Sequence, residues 1–387
     1  MLATLSGEVA IKGAGTRSFW VRELVKNVAA TVPLKSWRVF GGYIEMEVDG
    51  DPSPLSRVFG LASYAPAVQF QYSDLDDLVR KAEPLAAEAV RGRTFAVRAR
   101  REGEGRFTSL DVERALGAAL AKYARRVDLT SPEAEVHVLV RSGTAYLFTN
   151  PARGARGIPV GVAGKTVALV SGGFDSPVAA WLMMKRGVVP VVLNLLLGPR
   201  SYVEQVLAEV QVLRQWSGAH DIRVYFVNGF DVLKGLSEVR QSLRVVVLKR
   251  VMYRLAEALA RRVGAHSITT GESLSQVSSQ TMWNLEAEEA GISLPVLRPL
   301  IGMDKDEIME LARRVGTYSI SEKVPEYCAV AQSSKTMATP GEVDDAERAL
   351  GLDYAKMVAE AEVYVVARDG VRRRAARGAQ EGGAASA

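Results

Sequence analysis

The sequence predicts an α/β protein whose C-terminal half is built on a doubly wound parallel sheet. Two observations carry this. From about residue 166 to residue 315, short apolar runs alternate with helical stretches, the pattern of repeated strand–helix units with ligands at the carboxyl ends of the strands. One of these runs, VALV at 167–170, is continuous and apolar, as a strand buried on both faces requires, and a glycine-rich turn and a helix follow it at once. A third observation limits the sheet to that half: NPARGARGIPVGVAGK, 150–165, is rich in glycine, proline and arginine and reads as a boundary.

Ahead of that boundary the elements have a different character. Residues 1–50 read as a strand at 3–5, a helix near 17–31 and strands at 37–40 and 43–48, with Gly41-Gly42 as a hairpin turn signal. Residues 51–152 read as helices near 75–91 and 109–125 and strands at 94–100, 135–140 and 144–148. In TFAVRAR, alternation turns Phe95, Val97 and Ala99 to one face and Arg98 and Arg100 to the other. With Arg101 and Arg114 close in sequence, these arginines form a candidate phosphate-binding surface for RNA, diluted by Glu102 and Glu104. Residues 153–165 are taken as a linker. Beyond it, strands are predicted at 166–170, 189–195, 222–227 and 267–270, and helices near 177–186, 201–217, 240–263 and 305–315. This third segment runs to 368; 369–387, basic and then low in complexity, is expected to be disordered.

Composition narrows the function classes. The 387 residues suffice for two or three domains, and 48% hydrophobic content with 24% charged residues suits a globular protein. No apolar stretch has the length of a membrane span and the N-terminus lacks a signal-peptide pattern, so a cytoplasmic location is expected. One cysteine, Cys328, and three scattered histidines exclude a disulfide framework and make zinc or an iron–sulfur cluster unexpected. A net charge of +5 permits a polyanionic partner without requiring one.

The chemistry is concentrated in SGGFDS, 171–176. Gly172 and Gly173 leave backbone N–H groups unshielded at the start of a helix, where the dipole favours an anion. Ser176 reads as the N-cap, with Pro177 in the first turn. The hydroxyls of Ser171 and Ser176 would add donors to a phosphate, and Asp175 would hold Mg²⁺ or cap the helix. GVAGKT at 161–166 is not a Walker A loop, because it precedes the strand and has Pro159 where the first glycine belongs. DKDE at 304–307 fits a helix capping box, and Trp283 reads as core.

SGGFDS resembles the pyrophosphate loop of the PP-loop ATPases, which cleave ATP between its α and β phosphates. GEVAIKG (7–13), FTSLDVER (107–114), VVLKRVM (246–252), TGESLSQVSSQT (270–281), LRPLIGMDKDEI (297–308) and VPEYCAV (324–330) stand in the order found in the tRNA 4-thiouridine synthetases, the ThiI family of tRNA sulfurtransferases. The resemblance implies a ferredoxin-like α+β domain over 1–50, a THUMP RNA-binding domain over 51–152, and a PP-loop adenylation domain of the adenine nucleotide alpha hydrolase type over 166–368. It implies ATP and Mg²⁺ as cofactors and tRNA as partner, with uridine 8 thiolated to 4-thiouridine. Leu169 and Val170 would line the nucleotide beside the loop, and Lys249, Gly271 and Gln280 would be further ATP contacts. Cys328 matches the family's reactive cysteine, which carries sulfur as a persulfide or releases sulfide from a donor.

Many members carry a C-terminal rhodanese domain that supplies the persulfide and serves thiamine synthesis as well; this chain resembles the form without it. A single cysteine then calls for an external thiol, with a cysteine desulfurase or a separate rhodanese-like protein as donor, and a homodimer is compatible with the family. Two other readings stay open at this level: another PP-loop adenylating enzyme, such as a different RNA thiolase or an amide-forming ligase, and a non-catalytic THUMP tRNA-binding protein.

Overall fold

The computed structural model describes residues 1–103, 105–323 and 335–374. The chain divides into two compact units, one of residues Met1–Val21 and Val28–Ile158, the other of Arg22–Asn27 and the chain from Pro159 onward.

The first unit holds β1 (Leu2–Leu5), α1 (Gly7–Ala10), α2 (Ala14–Ala29, of which 22–27 group with the second unit), β2 (Leu34–Phe40), β3 (Tyr43–Val48), β4 (Leu61–Ala65), β5 (Val68–Gln71), α3 (Leu75–Val90), β6 (Thr94–Glu102), α4 (Ser109–Leu120), β7 (Arg126–Val127), β8 (Ala134–Arg141), β9 (Thr144–Thr149) and β10 (Ala152–Arg153). An antiparallel sheet runs β10-β4-β1-β3-β2, so strands from both sides of residue 50 share one layer. A second sheet runs β5-β9-β8-β6-β7, with β6 parallel to both its neighbours. Its core of Leu78, Phe95, Leu116, Leu120, Val136 and Val138 is closed by α3 and α4. Both helices are capped locally: Asp74 accepts from the Asp77 N–H, and Thr108 and Asp111 form a reciprocal capping box. The face of β6 that carries Arg98 and Arg100 is only partly solvated. Its neighbours across the sheet include Leu139, which is buried with Phe40, Tyr43 and Tyr146 in a small second core.

The second unit contains β11 (Lys165–Leu169), α5 (Asp175–Lys185), β12 (Val189–Leu196), α6 (Ser201–Arg214), β13 (Ile222–Asn228), α7 (Phe230–Glu238), α8 (Arg244–Val263), β14 (Ile268–Thr269), α9 (Met282–Glu289), β15 (Val296–Leu297), α10 (Lys305–Val315), α11 (Tyr318–Ser321), α12 (Pro340–Ala349), α13 (Tyr354–Ala359), β16 (Glu362–Ala367) and β17 (Gly370–Arg374). The sheet order is β15-β14-β11-β12-β13-β16-β17. The first five strands are mutually parallel and the last two antiparallel, which makes the sheet mixed. Val167, Leu193 and Tyr225 pack with Val247, Val251 and Leu255 of α8, while the alternate residues Ala168, Val192 and Val224 are equally buried on the opposite face. Burial on both faces explains the unbroken apolar runs in the sequence. Residues 370–374, expected to open a disordered tail, instead pair with β16 as an edge strand; the backbone ladder supplies the order that the charged sequence GVRRR conceals.

One buried acid gives this unit a pH dependence. Glu209 on α6 is fully buried; Ser321 Oγ donates to its Oε1 at 2.7 Å, and Oε2 has no partner among the described residues. Burial, opposed by the Ser321 hydrogen bond, pushes its pKa from 4.5 up to about 8. Between these values the native state keeps a proton that the unfolded chain has lost. The contribution to stability is therefore full below about pH 4.5, falls by ~1.4 kcal/mol per pH unit, and levels off above about pH 8. Glu209→Gln should remove that slope, so thermal melts across this range should show the variant more stable than the parent at about pH 8, with the difference vanishing near pH 4.5.

Candidate active site

β11 ends at Leu169, and the chain crosses the carboxyl edge of the sheet through residues 170–174 before α5 begins at Asp175. Leu169 and Val170 are buried; Val170 donates from its N–H to the Leu193 carbonyl, and its own carbonyl accepts from Asn194 Nδ2 at 2.7 Å. Gly172 has φ +88°, a left-handed conformation that a side chain rarely adopts. Above Gly173 the protein leaves room: a Cβ built there meets nothing closer than Ser171 Oγ at 4.0 Å. The helix starts earlier than its sequence suggests. Phe174 occupies the N-cap position with no side-chain cap, and Ser176 lies inside the first turn, where its Oγ accepts from the Ser171 N–H at 3.1 Å. Ser176 is thus not the N-cap; its hydroxyl braces the loop instead.

Asp175 does not stand alone. Lys305 Nζ lies 2.6 Å from its Oδ1, and Gln276 Nε2 donates to its Oδ2 at 2.8 Å. Lys305 is the first residue of α10, whose Asp304–Glu307 capping box forms as the sequence predicts. The pairing brings together the first residues of α5 and α10, each at the positive end of its helix dipole. Nothing local to Lys305 or Gln276 in the sequence points to Asp175, a partner more than 100 residues away.

The segment after β14 closes the site from another side. Gly271 lies so near the start of α5 that a Cβ would come within 2.7 Å of the Ser176 nitrogen and 2.8 Å of the Asp175 carbonyl carbon. Its glycine is required by protein backbone. Ser275 is held at φ +63°, and its N–H donates to the Gln280 carbonyl at 2.7 Å. Gln280 is buried with its Oε1 unpartnered among the described residues, as is the Oδ1 of Asn194. Such acceptors call for a donor. Trp283, expected in the core, is instead 53% exposed at the start of α9, while Leu285 turns inward.

Lys249 on α8 is tied into a buried polar network. Its Nζ lies 2.6 Å from Glu272 Oε1 and 3.9 Å from Glu288 Oε2. Tyr253 OH and Arg298 Nε both donate to Glu272 Oε2, at 2.7 and 2.8 Å. Burial alone would raise the Glu272 pKa, but Lys249 and Arg298 outweigh it and hold the acid near 2. Burial likewise works against the Lys249 charge, and the two glutamates reverse the effect, so its pKa rises. For Glu288, burial, together with the charge of Glu272 and a hydrogen bond to it, overcomes the attraction of Lys249, and its pKa lies well above the usual range. The network therefore holds Lys249 and Glu272 as a charged pair, with Glu288 beside them kept from ionising easily by burial.

The arginines predicted to meet RNA are not equally available. Arg98 is engaged by Glu135 and the Leu129 carbonyl, and Arg101 donates to the carbonyls of Gly105 and Phe107. Arg100 is exposed beside Tyr43, and Arg114 is exposed on α4. Cys328 lies outside the described residues. Among the described residues, no group of three or more His, Cys, Asp or Glu side chains is placed to hold a metal ion, and no helix is long and apolar enough to cross a membrane.

Comparison with known proteins gives a consistent answer. The family described as Thiamine biosynthesis protein (ThiI) matches residues 161–352, and the THUMP domain matches residues 72–150. The chain is 47% identical over 366 residues to a probable tRNA sulfurtransferase of Sulfurisphaera tokodaii, covering 95% of this chain and 100% of the relative. It is 48% identical over 362 residues to a probable tRNA sulfurtransferase of Saccharolobus solfataricus, covering 92% and 97%. A crystal structure of a 4-thiouridine synthetase–RNA complex with bound ATP aligns with a TM-score of 0.81 at 29% identity, over 94% of this chain and 98% of that one. Its THUMP domain, its PP-loop half and its near-complete alignment with these relatives place the chain in the ThiI family of tRNA sulfurtransferases.

Proposed function

We propose that this ATP-dependent tRNA sulfurtransferase converts uridine 8 of tRNA to 4-thiouridine by adenylating O4 and then displacing AMP with sulfur. The observation that carries the reading is the loop 171–176. It combines a left-handed Gly172, open space over Gly173 and the N-terminus of α5, with Lys305 and Asp175 at its edge. This is a cradle for a polyphosphate. The relative crystallised with RNA and ATP supports the same pair of substrates.

In this reading ATP places its pyrophosphate on residues 171–176, with Leu169 and Val170 beside the nucleotide and Gln280 and Lys249 as further contacts. The unpartnered Gln280 Oε1 and Asn194 Oδ1 suit the N–H groups of a nucleotide base or the hydroxyls of its ribose. Gly271 acts by letting the segment after β14 lie against α5. Asp175 is the one carboxylate within residues 171–176, and both its oxygens already accept hydrogen bonds. Asp175 would help hold Mg²⁺ beside the phosphates by giving up one of these contacts when the nucleotide is bound. The ion would neutralise charge on the departing pyrophosphate. The loop N–H groups and Lys305 act on the same charge from the protein side.

Uridine O4 attacks the α-phosphate and pyrophosphate leaves, which turns a poor leaving group at C4 into AMP. Sulfur then attacks C4 and AMP departs. Where the sulfur comes from a persulfide on Cys328, the product is first linked to the enzyme by a disulfide, and an external thiol releases it. The first unit holds the tRNA by shape and backbone, and the target base leaves its stack to reach the second unit.

Incubation with tRNA, ATP, Mg²⁺ and sulfide, followed by nucleoside digestion and mass spectrometry, should yield a uridine with sulfur in place of one oxygen. ATP consumption without sulfur in tRNA from any donor would overturn the assignment. Cys328→Ser should abolish persulfide-dependent thiolation while tRNA-dependent AMP formation continues; unchanged thiolation would remove Cys328 from the mechanism.

A further inference from the structure

The far edge of the sheet in the second unit carries a basic surface that the reaction does not use. Strand register sets Arg223 of β13, Val365 of β16 and Arg372 of β17 side by side, and two residues further on Tyr225, Val363 and Arg374. Since side chains alternate, Arg223, Arg372 and Arg374 share one face of the sheet. Arg223 and Arg372, two strands apart, are separated by about 10 Å, and Arg372 and Arg374 by about 7 Å along the strand. On the opposite face Arg373 lies 3.2 Å from Glu362, which also receives Arg200 at 3.0 Å. Arg372 is paired only with exposed Asp369, and Arg223 and Arg374 have no partner among the described residues.

Charge on an edge strand commonly serves to prevent sheet-to-sheet pairing. Two features go beyond that. Arg223 belongs to a strand that is paired on both sides, so it protects no edge. In addition, β17 runs parallel to β13, so the step from Arg372 to Arg374 leads toward the carboxyl rim of the sheet, where residues 171–176 lie. Four strand spacings, about 19 Å, separate β17 from β11.

We propose that Arg223, Arg372 and Arg374 form a phosphate-backbone contact for tRNA on the second unit, additional to the THUMP domain, that leads the RNA toward the nucleotide loop. The contact is electrostatic and independent of sequence, because exposed guanidinium groups at the margin of a face whose Tyr225 and Val363 belong to the core meet phosphates rather than base edges. The inference rests on tRNA being the substrate. Its test reads RNA affinity alone, so it succeeds or fails whether or not 4-thiouridine is the product.

The triple variant Arg223→Gln/Arg372→Gln/Arg374→Gln should bind a tRNA transcript on the order of tenfold more weakly at low salt. Its plot of log affinity against log salt should be shallower by roughly two to three. The corresponding triple lysine variant, which keeps the charges, should keep the parental slope. A glutamine variant with the parental salt slope overturns the proposal. So does one that self-associates in size-exclusion chromatography while its dispersed fraction binds tRNA normally, since the arginines would then only guard the edge. Weaker capture of an acidic sulfur-donor protein with unchanged tRNA binding would also overturn it.

Discussion

Lys305→Met should reduce tRNA-dependent AMP formation on the order of 100-fold or more while leaving the protein folded. A lysine at the first position of a helix sits against the positive end of the dipole, where acids are favoured, and α10 already has Asp306 and Glu307 in that turn. Such a placement makes sense at a site that receives an anion, where one more positive group is useful only when the guest is present. In the protein alone, Lys305 is 41% exposed and its pair with Asp175 contributes little to stability. In the proposed reaction it stands where the first turns of α5 and α10 meet, the place at which charge would collect on the leaving pyrophosphate. Removing one preorganised donor of that kind typically lowers turnover 100- to 1,000-fold. Asp175→Asn separates two roles. If Lys305 served only to tether Asp175, both variants would show the same small loss. The expectation is that Lys305→Met loses turnover at saturating ATP, and Asp175→Asn responds chiefly through its Mg²⁺ requirement. Rapid-quench measurement of AMP and a magnesium titration distinguish them.

What could be read from the sequence follows what is local in space. The central strand announces itself because burial on both faces leaves VALV, 167–170, without a polar residue, and the Asp304–Glu307 box because its two halves are one helical turn apart. The start of α5 lies ahead of its capping signal, because Phe174 is the cap and Ser176 is used to brace the loop. Strand β17 leaves no signal in the sequence for a related reason: as an edge it needs no apolar periodicity, and its neighbour β16 supplies the pairing. Residue type points Trp283 to the core, but coverage of the first turn of α9 is decided by tertiary structure. The partners of Asp175 come from two segments far along the chain, and the Lys249 network draws on α8, α9 and the segments after β14 and β15. Only the fold brings those together.

A pair of glycine substitutions should separate space that belongs to the protein from space kept for its ligand. Gly271→Val should lower ATP affinity more than tenfold and cost about 1–3 kcal/mol of stability, because its Cβ would press on backbone atoms of Asp175 and Ser176 that no rotamer change can clear. Either the segment that presents Gln276 and Gln280 or the first turn of α5 must shift, and the Gln276–Asp175 hydrogen bond cannot follow both. Gly173→Ala is different. Its Cβ would meet no protein atom closer than 4.0 Å, and its φ lies outside the left-handed region, so thermal stability should stay near that of the parent. Nucleotide affinity should nevertheless fall at least tenfold, since a methyl group would stand where phosphate oxygens approach the loop N–H groups. Calorimetric titration with ATP and a melting curve on each variant give both quantities. Should Gly173→Ala bind ATP as the parent does, the open space over residue 173 is not where the phosphates lie, and the assignment of residues 171–176 to the pyrophosphate fails with it.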